Sequence, residues 1–280
     1  MAHSILPLGR PGRAPADRVF VGLFLGLVGL AWLCLWLWSA SPHGRYLDHG
    51  SWLEIGVLAT VCRAVPAGDT LVPAALHAGA WMLMVAAMML PTTLPLLVVW
   101  RRLVARRADR RLLEALVVVG YLAAWGGFGI LAHLADAGLH GLVGASVWLT
   151  FNGWLIGVAA LALAGLFQFS RLKDYCLERC RSPLGFAMQA WRGGAPRLQA
   201  WWLGVRHGLF CIGCCWALML LMFVVGMGSL GWMLLLAAVM AAEKNLSIGR
   251  RLTAPVGIVL CATAAGLAAA NLGLLPAGWL

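Results

Sequence analysis

Charge is what this sequence has least of. Only 11% of its 280 residues are Asp, Glu, Lys or Arg, against about 25% in an ordinary soluble domain. That shortage excludes a water-soluble globular fold. Acidic residues are scarcer than basic ones, 10 against 21, which leaves a formal net charge of +11. No basic-aromatic binding module accompanies the excess, so nucleic acid is not an expected partner. A glycine-rich nucleotide-binding motif is also missing, which argues against an ATP-driven pump on this chain alone. No βαβ pattern surrounds the paired cysteines, against a thioredoxin-like domain. There is no internal repeat. The first apolar run, residues 19–38, lacks a small-residue cleavage site and is expected to be a retained span rather than a signal peptide.

What fills the chain instead is apolar: 62% hydrophobic residues and a mean hydropathy of +0.87. Several runs reach the roughly 20 residues needed to cross a hydrocarbon core. The expected fold is an all-α polytopic transmembrane bundle of seven spans, near 19–40, 71–99, 113–135, 146–170, 208–227, 229–246 and 253–275. The sixth is short. With these spans, 19 of the 21 basic residues fall in connections on one side, and only Arg45 and Arg63 on the other. By the positive-inside rule the N-terminus is then cytoplasmic and the C-terminus periplasmic, in a multi-pass protein of the bacterial inner (cytoplasmic) membrane. Residues 1–18 are expected to be a disordered cytoplasmic tail, and 19–280 a single integral membrane domain. Residues 42–70 form a long outer connection, whose stretch 52–62 is apolar enough to lie in the interface.

Five of the eight cysteines fall in two clusters, Cys176 with Cys180 and Cys211 with Cys214 and Cys215. On helices, Cys176 and Cys180 share a face, as do Cys211 and Cys215, with Cys214 adjacent. The topology sets both clusters at the cytoplasmic side, within about two helical turns of depth. Structural disulfides are disfavoured in that compartment. Thiolates are soft ligands that select Cu(I) and Zn, so these thiols form a candidate trigonal or tetrahedral metal site. Cu(I) is the leading metal and zinc the alternative. The competing reading is that free cysteine packs as a small hydrophobe, which suits the isolated Cys34, Cys62 and Cys261.

His207, one turn before Cys211, is either an extra ligand or an interfacial polar residue. Met219 and Met222 extend the Cys211 and Cys215 face along span five. Met82, Met84, Met88 and Met89 in span two, and Met233 and Met240 in span six, add thioethers. They are either soft ligands along a path for Cu(I) or flexible core filler. His43, His49, His77, His133 and His140 stand on the outer side of such a path. Pro91 and Pro95 interrupt span two. Small residues, among them Gly126, Gly127 and Gly129 in span three and the run of Ala262, Thr263, Ala264, Ala265 and Gly266 in span seven, read as helix packing. Glu243 and Lys244 end span six at the thiols' depth. They are either a functional pair or solvated charges at a helix end.

These residues together resemble a bacterial family of predicted metal-binding integral membrane proteins, a domain of unknown function. The matching pieces are Ala86, Ala87, Met88, Met89, Leu90 and Pro91 with Pro95, then Gln168 with Lys173, then Cys176, Leu177, Cys180 and Arg181. The strongest run is His207, Gly208, Cys211, Gly213, Cys214, Cys215, Trp216, Ala217, Leu218 and Met219. Trp232 with Met233 and Glu243 with Lys244 complete it. The family often has Met-Asn after the fifth span, where this chain has Met227, Gly228 and Ser229. The resemblance implies a metal-binding membrane protein and marks Gln168, Lys173, Cys176, Cys180, Cys211, Cys214, Cys215 and Glu243. The thiols would be ligands. Lys173 and Arg181 would favour thiolates by their positive field. Gln168, Lys173 and Glu243 would surround and orient the ligands.

The leading expectation is thus a metal-handling membrane protein, binding Cu(I) at a cytoplasmic-side Cys cluster for transport or for delivery to a metallochaperone or metalloenzyme partner. The alternatives are an inner-membrane thiol redox protein, in which a Cys176/Cys180 loop attacks a Cys211/Cys214 disulfide, and a non-catalytic membrane assembly factor. No catalytic constellation is evident, so enzymatic activity is not expected.

Overall fold

Prolines and serines set where the helices stop and turn. The computed structural model describes residues 15–41, 71–191, 194–225 and 229–274. All its regular elements are helical, with no strand among the described residues. The segment 52–62, His43, His49, Met227 and residues 1–14 of the expected tail lie outside the described residues.

The first helix, α1, is Pro15–Ser39, so it begins within the stretch expected as tail. α2, Leu71–Met88, is followed by a 3-10 turn, Leu90–Thr93, with Pro91 in its first positions, and then by α3, Leu94–Leu103. The two halves of this segment meet at 46°. Proline lacks the amide hydrogen that would continue the ladder. Thr92 and Thr93 instead return their hydroxyls to the carbonyls of Met89 and Leu90.

α4 is the long helix Arg110–Ala145. It starts at Asp109, whose carboxyl Arg107 holds below the usual carboxylate range through a 2.8 Å hydrogen bond. An anion there favours the helix dipole. The short α5, Val147–Phe151, leads to α6, Trp154–Phe167. α7, Arg171–Arg181, turns away at 62° after Ser170, whose hydroxyl caps the amide of Lys173. α8 is Pro183–Ala190 and α9 is Pro196–Val225. α10, Leu230–Asn245, and α11, Gly249–Asn271, complete the bundle.

Several boundaries differ from the sequence reading: α4 runs ten residues past the expected 135, and the expected 146–170 span is broken between α5 and α6. The expected 171–206 loop holds α7, α8 and the first turns of α9, because the Ser170 cap and Pro183 and Pro196 each start a new helix. The span count is also coarser than seven. Among the described residues, four helices are long and apolar enough to cross a membrane unbroken, or up to six if each bent pair is one span. α10, the expected sixth span, has 16 residues, short of the roughly 20 for a straight crossing.

α4 and α9 share the most extensive helix pair, and glycine permits it. A Cβ at Gly120 would strike the carbonyl of Trp201, and one at Gly204 the carbonyl of Val117. A Cβ at Gly208 would stand 2.7 Å from that of Ala124. Gly204→Ala is therefore expected to force the helices apart and destabilise the bundle by about 1–3 kcal/mol, measured as unfolding in detergent micelles. Of the small residues expected to pack, Gly129 lies against Trp81 and Ala264 is buried, whereas nothing approaches Gly127 or Gly266.

The basic connections meet at one end of the bundle. Arg101 stacks over Phe20 of α1 at 3.8 Å, and Arg107 lies 5.8 Å from the Trp191 ring after α8. Arg181 of α7 donates to the carbonyls of Glu243 and Ser247 after α10. The outer faces are apolar: on α1, Leu23, Leu27, Leu30 and Trp36 are all more than half exposed. Such faces suit lipid contact, while the helices satisfy their own backbone groups.

Candidate metal centre

α9 carries His207, Cys211, Cys214 and Cys215 on its buried length. Gly213 lets α7 approach it: a Cβ there would stand 2.6 Å from the sulfur of Cys176. One turn on, Cys180 interacts with Cys214 through their thiols. Cys214 in turn interacts with Cys215, and Cys215 with Cys211. The two cysteine clusters are thus joined in a chain of neighbouring sulfurs inside the main core.

The thiols are not spread in the geometry of a ready-made metal site. Among the described residues, no group of three or more His, Cys, Asp or Glu side chains is placed to hold a metal ion. Local hydrogen bonding is part of the reason. Cys214 and Cys215 both turn back on the carbonyl of Cys211, at 3.1 and 2.9 Å.

The other part is an ammonium group. Lys244, in the last turn of α10, is buried with its Nζ 2.9 Å from Cys211 Sγ. It also reaches Cys215 Sγ and Met89 Sδ, each at 3.8 Å. An ammonium has three N–H donors, and here three sulfur atoms face them. Cys215 Sγ and Met89 Sδ are 3.7 Å apart. The Tyr121 hydroxyl of α4 closes the nest, 3.0 Å from Cys211 Sγ and donating to the Met89 carbonyl at 3.2 Å. A buried charge is tolerable only when paired, and the Cys211 sulfur is the atom nearest to the ammonium.

Beside the nest lies a second buried polar group. Lys173 donates to Glu243 Oε2 at 2.7 Å and to Gln168 Oε1, joining α7, α10 and the end of α6. Its side chain is 0% exposed and that of Glu243 2%. Glu243 Oε1 and Gln168 Nε2 have no hydrogen-bond partner among the described residues. Lys173 gives its hydrogen bonds to Glu243 and Gln168. Arg181 is engaged with backbone carbonyls. The cation that touches a thiol is Lys244.

The remaining expected ligands fall elsewhere. His207 is buried between the rings of Tyr121 and Phe186, with Nδ1 unpartnered. Met219 and Met222 are fully buried along the same α9 face, in the core that also holds Met84, Met88, Met89, Met233 and Met240. On α4, His140 pairs with Asp136.

Residues 78–267 match the family model for PpoB2, described as a copper chaperone. The chain belongs to the PpoB2 copper-chaperone family. No curated protein and no solved structure matches it. Copper handling is therefore the family's business, and the donors present fit a soft cation. Thiolate and thioether sulfur select Cu(I), whereas the oxygen-rich cages of hard cations are missing from this nest. A metal–thiolate bond is about 2.3 Å, which sets sulfurs about 4 Å apart around a three-coordinate ion. The 3.7 Å between Cys215 and Met89 is close to that edge.

Sequence reasoning named Met89 only as one of several thioethers and Lys244 only as half of a polar pair, and did not single out Tyr121. Lys244 had a signal, an ionisable residue at the end of a span. Tyr121 is one of three tyrosines in the chain. Nothing in the spacing tied either residue to α9.

Proposed function

We propose that this protein binds Cu(I) at its thiol cluster, on the cytoplasmic side of a bacterial inner membrane, and passes it to a metalloenzyme or soluble metallochaperone. The carrying observation is the buried nest in which Cys215 and Met89 stand 3.7 Å apart and share the Lys244 ammonium with Cys211, in a copper-chaperone family. Apolar helices support a bilayer as the solvent, and the arginine-rich end supports the orientation. Cys176, Cys180 and Cys214 supply sulfurs through which the ion exchanges ligands. Gln168, Lys173 and Glu243 tie the end of α6, α7 and α10 together beside the thiols. The buried methionines offer further thioethers within the core.

The interacting thiols of Cys180 and Cys214 also suit a second reading, a thiol redox pair. Elemental analysis of full-length protein, purified in detergent under reducing conditions, separates the two. The copper reading expects about one copper per chain, lost in the Cys211→Ser, Cys215→Ser double variant. Metal-free protein with a reversible Cys180–Cys214 disulfide would replace it with the redox reading.

A further inference from the structure

Lys244 sits among three soft donors that no other described residue uses as a group. Its ammonium is a single positive charge, surrounded by two thiol sulfurs and one thioether, and held inside the core. An ammonium–sulfur hydrogen bond is longer than a metal–sulfur bond of about 2.3 Å. The ammonium, with sulfurs at 2.9, 3.8 and 3.8 Å from Nζ, fills the space between them, and copper can be seated there only once the ammonium leaves. The way out is short. Asn245, Leu246, Ser247 and Ile248, which follow Lys244 directly, are all exposed. A lysine stem readily keeps its head group in water while its methylenes stay on apolar surface.

We propose that Cys211, Cys215 and Met89 form the Cu(I) site and that Lys244 is its resident cation, expelled when copper enters and returning when copper leaves. This rests on the copper-binding reading and adds its third donor and its exchange device. The step is ligand exchange without electron transfer. The hydrogen bonds from Nζ to the three sulfurs break. Bonds form from Cu(I) to Cys211 as its thiolate, to the Met89 thioether and to Cys215, whose thiol gives up its hydrogen bond to the Cys211 carbonyl and passes its proton to bulk water. The copper–dithiolate unit then carries one negative charge, and the displaced ammonium remains its nearby counter-ion. One monovalent cation thus replaces another in the nest. The returning ammonium speeds release by competing for the sulfurs, which suits a protein that must give its copper away.

The chain has only two lysines, Lys173 and Lys244, both buried, so amine acetylation read by mass spectrometry reports on Lys244 with Lys173 as internal control. In wild-type protein, loading one equivalent of Cu(I) is expected to raise acetylation of Lys244 by at least about tenfold, with Lys173 unchanged. Copper bound stoichiometrically while Lys244 stays protected overturns this inference alone. Wild-type protein that takes up no copper overturns the copper reading with it. In a Lys244→Leu variant, copper is expected to pass to an excess of chelator about tenfold more slowly. Release at the wild-type rate, or loss of binding, overturns the exchange role, and if that variant does not fold the wild-type acetylation decides. Met89→Leu is expected to weaken Cu(I) binding by about tenfold or more. An unchanged affinity removes Met89 from the site.

Discussion

Lys173→Met will destabilise the bundle by about 3–5 kcal/mol, read by denaturant titration in mixed micelles. The pair it breaks is fully enclosed, with 0% and 2% of its side chains exposed and 2.7 Å between Nζ and Oε2. Without the ammonium, Glu243 is left as a buried carboxylate whose other oxygen already has no partner. Gln168 loses the donor to its carbonyl oxygen. An exposed ion pair would cost only about 0–1 kcal/mol, so the magnitude itself tests the burial. Replacing both partners, as in Lys173→Met with Glu243→Leu, is expected to recover most of the loss, because apolar groups of similar volume need no desolvation. A single variant as stable as wild type would show that the pair is solvated.

Cys211→Ser carries the second large effect, and it reaches further than the loss of one ligand. Serine cannot become an anion under ordinary conditions, so the Lys244 ammonium, 2.9 Å from the sulfur in the wild type, is left buried without its counter-ion. The expected cost is again about 3–5 kcal/mol. Adding Lys244→Leu to Cys211→Ser is expected to restore most of the stability while copper binding stays lost. Stability and binding therefore separate in the double variant. Cys34→Ser, on the exposed face of α1, should alter neither. If Cys211→Ser is no less stable than wild type, the sulfur does not balance the lysine.

The helical class and most of the apolar segments were legible because they depend on composition and on run length. So was the meeting of the two cysteine clusters, since both lie next to the same basic connections. What sequence could not supply was the lateral order of the helices. Met89 was visible as one methionine among 11; its importance comes from the break after α2, which brings its sulfur and carbonyl beside Cys215 and Tyr121. Glu243 and Lys244 looked like one polar pair at a helix end. Being consecutive on a helix, they point about 100° apart, and each meets a different cluster: Glu243 the α7 lysine, Lys244 the α9 thiols. The positive field expected from Lys173 and Arg181 was assigned by nearness in sequence, whereas the contact that matters crosses 33 residues.

With both lysines drawn inside, every outward-facing cationic side chain at the basic end of the bundle is an arginine, histidine aside. Guanidinium keeps its proton at any pH a cell meets and grips phosphate with two parallel donors. Contact of that end with an anionic surface is expected to be insensitive to alkalinity and, while Lys244 stays inside, to lysine-directed modification, and to yield chiefly to salt.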